Sequence, residues 1–237
     1  MASRVLGLLG AFDPDHRALR LTELAARAEL PVPTAHRLVA DLVAWGGLSR
    51  RPDGCYVVGR RLWDVGMLAA VQADLREVSS PFLHDLYGAT LATVHLAVRD
   101  DDRALYLDRL SGHASVPVVS NVGSRLPLHA TGVGKVLLAY APEQVRMRVL
   151  ADLTRVTPHT ITQPGRLLRD LSRVRREGYA VTQEEMSLGA CSVAVPVTDS
   201  RDRVVAALGI VVPRLGRDRA RLVAALEVAA QGIRRHL

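Results

Sequence analysis

The sequence predicts an α+β chain, with an N-terminal winged helix-turn-helix followed by a larger domain of mixed helices and strands. Three observations predict it. Residues 1–59 run helix, short helix, tight turn, helix, hairpin, which is the order of a winged helix-turn-helix. Residues 60–76 then carry an apolar stripe at helical spacing, as a connecting helix would. From residue 77 to 237 helical and strand patterns alternate over a length that suits one further domain.

Residues 3–12 place Val5, Leu6, Leu8, Leu9 and Phe12 on one helical face, and Asp13-Pro14-Asp15 ends that helix. Residues 21–28 predict a short second helix with Leu24, Ala25 and Ala28 inward, its start capped by Thr22 or a neighbour. Glu29-Leu30-Pro31 is a tight connection. A third helix follows over 33–45, with Pro33 at its first position, where a missing N–H costs little. Ala35, Leu38, Val39 and Leu42 keep the i, i+3, i+4, i+7 spacing of a buried face. Gly46-Gly47 stops it. Residues 48–51 and Tyr56-Val57-Val58 flank Pro52-Asp53-Gly54, which predicts a two-stranded wing.

In the connecting helix, Leu62, Val65, Leu68, Ala69, Val71 and Leu75 form the stripe. Beyond it the patterns predict helices near 78–90, 131–140, 142–152, 164–177 and 216–236. Strands are predicted near 92–98, 104–110, 115–119, 179–182, 191–198 and 203–212. There is no internal repeat and no low-complexity tract.

The formal net charge is +7, a bias toward an acidic partner such as nucleic acid. That bias is weak evidence, because Lys135 is the only lysine and an arginine-rich composition also suits an ordinary enzyme. Two cysteines, Cys55 and Cys191, give no disulfide framework and no zinc motif. No apolar run approaches the roughly 20 residues of a membrane span. The first fifteen residues are apolar but lack a basic region and a cleavage site. The expectation is a cytoplasmic protein that makes no use of the membrane and has no cofactor.

The chemistry of the N-terminal part lies in the polar positions of its third helix. The second helix of such a motif enters the major groove and presents its first turn to base edges. Thr34, His36 and Arg37 occupy that turn. Arg37 suits bidentate contact with guanine or a phosphate grip, and Thr34 suits a phosphate or a thymine methyl. Arg50 and Arg51, just before the wing turn, are placed for phosphate or the minor groove. The competing reading of each is a solvated surface charge.

In the larger domain, Leu126-Pro127-Leu128-His129-Ala130-Thr131-Gly132-Val133-Gly134-Lys135 leads from an apolar run into a helix. Thr131 is the expected N-cap. The first N–H groups of that helix lack intrahelical partners and, with the helix dipole, favour an anion. Gly132 and Gly134 allow close approach. The spacing is not that of a nucleotide-binding P-loop. The same glycines also suit tight helix–sheet packing.

Three blocks then resemble one family. LTELAARAELPVPTAHRLVADLVAWGGLSR resembles the N-terminal domain of the IclR family of bacterial regulators. RLPLHATGVGKVLLA resembles its effector-domain core, and REGYAVTQEEMSLGACSVAVPV resembles its C-terminal signature. They occur in the family's order and span nearly the whole chain. The resemblance implies a homodimeric or homotetrameric repressor or activator. Its partners would be double-stranded DNA at a palindromic operator and a small organic acid, bound in a GAF-like effector domain with a curved antiparallel sheet.

By the same resemblance, effectors meet backbone amides at Gly132 and Val133. Pocket walls match Ser115, Val118, Leu126 and Ala190, and polar contacts match Thr182, Ser192, Gly209 and Val211. Here the chain departs from the family. Thr182 stands where the family has an acid, Ser192 where a cysteine is common, and Gly209 and Val211 where serines are common. The pocket is therefore expected to be less polar than that of the keto-acid binders, suiting an aromatic acid or a lactone.

Other readings are weighed against this one. Ser124, His129 and Asp108 can be named as a hydrolase set, but no nucleophile elbow surrounds the serine, so no enzymatic activity is expected. His95, His113 and His129 lack metal-ligand spacing. Glu184 and Glu185 are expected to be solvated or paired with arginine. A larger domain that serves only oligomerisation or protein contacts is the rival to a ligand sensor.

Overall fold

The computed structural model describes residues 1–237 apart from Pro14, residues 68–72, His113, Ala114 and Pro117. It divides into two compact units, Met1–Val71 and Gln72–Leu237. The first contains α1 (Ala2–Gly10), α2 (Leu21–Arg27), α3 (Val32–Trp45), β1 (Leu48–Arg50), β2 (Tyr56–Val58) and α4 (Arg60–Met67). Leu8, Leu24, Ala35, Leu38, Val39, Leu42 and Leu48 form its core. Each fully buried leucine contributes roughly 1.5–3 kcal/mol over exposure. Apart from Leu48, which lies in β1, these are positions that helical spacing marked as inward.

The N-terminal end of α2 is closed by Glu23, the neighbour of Thr22, whose carboxylate accepts the Arg20 N–H at 2.6 Å. One detail differs from expectation. Pro33 is the second residue of α3, which begins at Val32. The wing forms as expected, antiparallel with Leu48 opposite Val58 and Arg50 opposite Tyr56. Asp53 shapes its turn by accepting the Cys55 N–H at 3.0 Å.

The second unit opens with α5 (Ala73–Thr90). Its strands are β3 (Thr93–Asp100), β4 (Arg103–Leu110), β5 (Arg125–Pro127), β6 (Ala180–Gln183), β7 (Cys191–Thr198) and β8 (Val204–Val212). They form one antiparallel sheet in the order β5-β4-β3-β8-β7-β6. Between β5 and β6 lie α6 (Gly132–Ala139), α7 (Glu143–Ala151) and α8 (Pro164–Glu177), and α9 (Arg219–Arg234) ends the chain.

Alternation along the strands makes two different faces. Val94, Leu96, Val193, Val195, Leu208 and Ile210 point to one side and pack with Leu83, Leu226 and Ile233 of α5 and α9. The opposite face carries Ala97, Ala180, Ala194 and Ala207, which pack with Val136 of α6 and Leu167 and Leu171 of α8. Small side chains on that face let α6 lie close to the sheet.

Two expectations are corrected. The strand expected at 115–119 is not formed at the described positions. The short strand of this region is Arg125–Pro127, paired with β4. A proline within the run, which cannot donate to a ladder, is the physical reason that run was a poor strand. The expected break between helices at 76 and 78 is also absent. α5 runs through it from Ala73, with Pro81 inside. Of the connecting helix expected at 60–76, α4 covers Arg60–Met67, and residues 68–72 lie outside the described ones.

Candidate functional site

In the first unit, α3 presents His36 and Arg37 to solvent, while Thr34 is half-buried beside Ala35 of the core. Arg37 lies 3.7 Å from Asp41 one turn along. Such an exposed pair contributes under about 1 kcal/mol and is readily exchanged for a phosphate or base edge. In the wing, the Arg50 guanidinium lies 5.7 Å from the centre of the Tyr56 ring. Arg51 sits 3.3 Å from Asp53. Both arginines are exposed. All five sequence-derived candidates therefore fall on α3 or the wing.

In the second unit, α6 starts over the small-residue face of the sheet. Thr131 caps it, accepting the Gly134 N–H at 3.1 Å and donating to the Pro127 carbonyl at 3.1 Å. The first amides of the helix, those of Gly132 and Val133, have no intrahelical acceptor. Their approach to the sheet depends on two glycines. A Cβ at Gly132 would lie 2.5 Å from Ser192 Oγ, and one at Gly209 would lie 2.8 Å from Val133 Cγ1.

Below this helix end is a cavity of about 50 Å³. Nine of the ten sequence-derived effector residues line it: Val118, Leu126, Gly132, Val133, Thr182, Ala190, Ser192, Gly209 and Val211. Ser115 does not. Its hydroxyl instead accepts the Gly112 N–H at 3.0 Å and donates to the Leu91 carbonyl at 3.4 Å. A larger groove, about 1080 Å³, runs along α8 beside Arg166, Arg169, Arg173 and Arg176, but it is open to solvent.

The cavity has two polar ends and apolar walls. At one end the hydroxyls of Thr182 and Ser192 bond to each other at 2.6 Å. At the other, His95 Nε2 lies 2.8 Å from Ser120 Oγ. The edge of Tyr106 meets the His95 ring at 5.0 Å between centroids and 88°. Burial, with a smaller push from the Arg109 charge, lowers the His95 pKa to about 3, so the imidazole is neutral at physiological pH. Burial pushes the Tyr106 phenol well up, against the pull of its hydrogen bond with Thr131. Val118, Val119, Leu126, Val133 and Met186 supply the apolar walls.

His95, Tyr106, Ser120, Thr131 and Met186 are lining residues that the site reading from sequence missed. Strand alternation held the signal for His95, since it stands two residues from Ala97 on the face that meets α6. Ser120 was hidden by reading its segment as a strand.

Glu185 corrects an expectation. It is buried and paired with the only lysine, not with an arginine. Lys135 Nζ lies 2.7 Å from Glu185 Oε1 and 2.7 Å from Asp170 Oδ2. Asp170 also meets Arg173. Burial raises the Glu185 pKa while Lys135 opposes that rise. The exposed side of the same loop carries Glu184, 3.3 Å from His159. Thr157 and Thr160 each donate to its backbone, at the Glu184 and Glu185 carbonyls, both at 2.7 Å. The loop that supplies Met186, Ser187 and Ala190 to the cavity is thus tied from beneath.

The residues named for hydrolysis are engaged separately. Ser124 accepts the Asn121 N–H, His129 meets the Thr154 carbonyl, and Asp108 faces Arg76. Among the described residues no group of His, Cys, Asp and Glu is placed to hold a metal ion. His113 lies outside them. No helix among the described residues is long and apolar enough to cross a membrane.

A winged helix-turn-helix with a basic reading face, carried on one chain with a cavity-bearing antiparallel sheet, defines a DNA-binding transcriptional regulator with an effector-binding domain. The chain belongs to the IclR family. The model of the IclR helix-turn-helix domain matches residues 2–52, and that of the bacterial transcriptional regulator IclR C-terminal domain matches residues 67–235.

Among curated relatives, the HTH-type transcriptional regulator XynR of Escherichia coli (strain K12) is 32% identical over 87% of this chain and 83% of its own length. KdgR of the same organism is 31% identical over 97% of this chain and 89% of its own length. Among solved structures, an IclR homolog from Microbacterium hydrocarbonoxydans complexed with 4-hydroxybenzoate has a TM-score of 0.95 and 36% identity. That match covers 100% of this chain and 98% of the other. IclR of Thermotoga maritima has a TM-score of 0.81 and 30% identity, covering 99% and 97%.

Proposed function

We propose that this chain regulates transcription as a homodimer or a dimer of dimers on a palindromic operator, and that an aromatic carboxylic acid controls its grip. The observation that carries the ligand half is the cavity under α6, with free amides at Gly132 and Val133, a hydroxyl pair at one end and apolar walls between. A carboxylate takes the helix end, where partial positive charge and N–H donors meet it. The Thr182 and Ser192 hydroxyls flank it. Val118, Leu126, Ala190 and Val211 enclose the ring.

The 4-hydroxybenzoate complex of the similar homolog supports the same ligand class here. Size is the counterweight. A water needs roughly 10–15 Å³ of such space, so about 50 Å³ admits a glyoxylate-sized acid more readily than a benzoate. Binding a benzoate requires Val118, Val119 and the flexible Met186 to move outward.

On the DNA side, Thr34, His36 and Arg37 read or position the major groove and Arg50 and Arg51 hold the backbone from the wing. Residues 1–59 act as the DNA head, 60–76 as the connection and 77–237 as the sensor. Effector binding favours one arrangement of the dimer over another and so shifts the population competent for the operator. Titration calorimetry with benzoates, glyoxylate and pyruvate tests the ligand class. Micromolar binding of a benzoate is expected, and binding of the keto acids with no aromatic acid bound refutes the reading.

A further inference from the structure

We propose that His95 reads a hydroxyl at the far end of the effector, opposite its carboxylate, and so makes the cavity prefer a hydroxybenzoate to benzoate itself. This rests on the aromatic-acid reading above and adds a specificity-determining residue to it.

The sheet register sets the distance between the two polar ends. Ser192 on β7 pairs with Val211 on β8, and Val211 pairs with Thr93 on β3. His95 stands two residues along β3 from Thr93, on the same face. Two strand spacings across and two residues along separate the backbones of Ser192 and His95 by roughly 12 Å. Both side chains point into the cavity between them. Gly209 lies on β8 directly beside His95, and Ala194 lies beside Gly209 on β7, so the strands themselves raise little side chain between the two ends, and the side chain that packs over Gly209 is Val133 of α6. A ring substituted at opposite ends spans such a space, whereas a two-carbon or three-carbon acid reaches one end only.

The chemistry at the His95 end suits a hydroxyl. With Nε2 engaged by Ser120, the Nδ1 of the neutral imidazole is the nitrogen left to meet a hydroxyl, which can both donate and accept and so suits either tautomer. His95 stays neutral because burial holds its pKa at about 3. It therefore offers no charge to a second carboxylate. The Tyr106 edge fixes the plane of the ring, and Ser120 holds Nε2. Nη1 of the nearby Arg109 donates to the Ser120 carbonyl at 2.8 Å and to Asn121 Oδ1 at 3.0 Å, which keeps the Ser120 segment over the cavity.

The test is titration of the full-length chain with 4-hydroxybenzoate and benzoate, in the wild type, His95→Leu and His95→Gln. The wild type is expected to bind 4-hydroxybenzoate roughly tenfold more tightly, the worth of one good hydrogen bond. In His95→Leu the two affinities converge, because that for 4-hydroxybenzoate falls further than that for benzoate. His95→Gln restores part of the preference.

A second measurement needs no variant. In wild-type protein with ¹⁵N-labelled histidine, the His95 ring resonances, assigned by their contact with Tyr106, are expected to move with 4-hydroxybenzoate and not with benzoate. A preference that survives in His95→Leu, or His95 resonances that respond equally to both acids, overturns the role of His95 and leaves the aromatic-acid reading standing. A wild type that binds neither acid overturns that reading, and the role of His95 with it.

Discussion

Lys135 Nζ lies 2.7 Å from Glu185 Oε1, so the chain's only lysine is fully buried and closes an ion cluster directly behind the effector cavity. Lys135 is the fourth residue of α6, whose first two residues face the cavity. Glu185 directly precedes Met186, which lines it. Asp170 on α8 completes the cluster at 2.7 Å from the same ammonium. Two cations and two carboxylates are present once Arg173 is counted, so the cluster balances.

Replacing Lys135 removes the group that both carboxylates share. Lys135→Met leaves Asp170 with Arg173 alone and Glu185 with no cation. Breaking a buried pair from one side costs about 3–5 kcal/mol. Chemical denaturation is expected to show a loss of that size for the second unit, and effector affinity is expected to fall with it as the 184–190 loop loosens. An unchanged midpoint would show that the cluster adds nothing to stability.

Much of this was legible in the sequence, and the failures are instructive. Helical spacing found Leu38, Val39 and Leu42 because a core-facing stripe repeats every turn. The wing was legible from Asp53-Gly54 between two short strand-length runs. Nine positions of the cavity wall were named through the resemblance to the family's pocket. Ser115 and the strand at 115–119 failed together: an apolar run resembles a strand, but at the described positions no strand forms, Val118 and Val119 line the cavity and Ser115 does not. Glu185 failed for another reason. Its partner lies 50 residues away on α6, and no local pattern reports a pairing made by tertiary packing.

The buried histidine gives the fold an acid limit. Above pH 6.5 His95 is neutral in both folded and unfolded chains, and its burial has no protonation cost. As pH falls below 6.5 the unfolded chain gains a proton that the folded chain refuses until about pH 3. The stability tied to this group is therefore present above pH 6.5 and is lost as pH falls toward 3, at up to about 1.4 kcal/mol per unit. His129, also lowered chiefly by burial, acts in the same direction. Denaturation between pH 7 and 4.5 is expected to show a shallower pH slope in His95→Leu than in the wild type, by close to one proton. Equal slopes would mean that His95 protonates freely in the folded state.

Gly132 is a position where one methyl group suffices to disturb the ligand end. In Gly132→Ala the added Cβ meets Ser192 Oγ at 2.5 Å, closer than any stable contact. Ser192 must turn away, and its bond to Thr182 breaks. The expected cost to folding is about 1–3 kcal/mol, with effector affinity reduced at least tenfold. Adding Ser192→Ala removes the obstructing oxygen, and the double variant is expected to regain most of the lost stability. Additive losses in a double-mutant cycle would contradict the contact.

The DNA face and the cavity are carried by separate compact units, so damage to one is expected to spare the other. Arg37 is exposed on α3 and its ion pair with Asp41 is loose, so Arg37→Ala removes no core contact. A base-reading arginine is worth about 1–3 kcal/mol, or roughly tenfold to hundredfold in operator affinity. Fluorescence anisotropy is expected to show that loss together with a reduced preference for operator over random duplex. If Arg37 held only phosphate, affinity would fall equally on both duplexes and the salt slope would shrink by about one. Calorimetry on the same variant is expected to give wild-type effector affinity. Loss of effector binding as well would show that Arg37 maintains the fold rather than reads DNA.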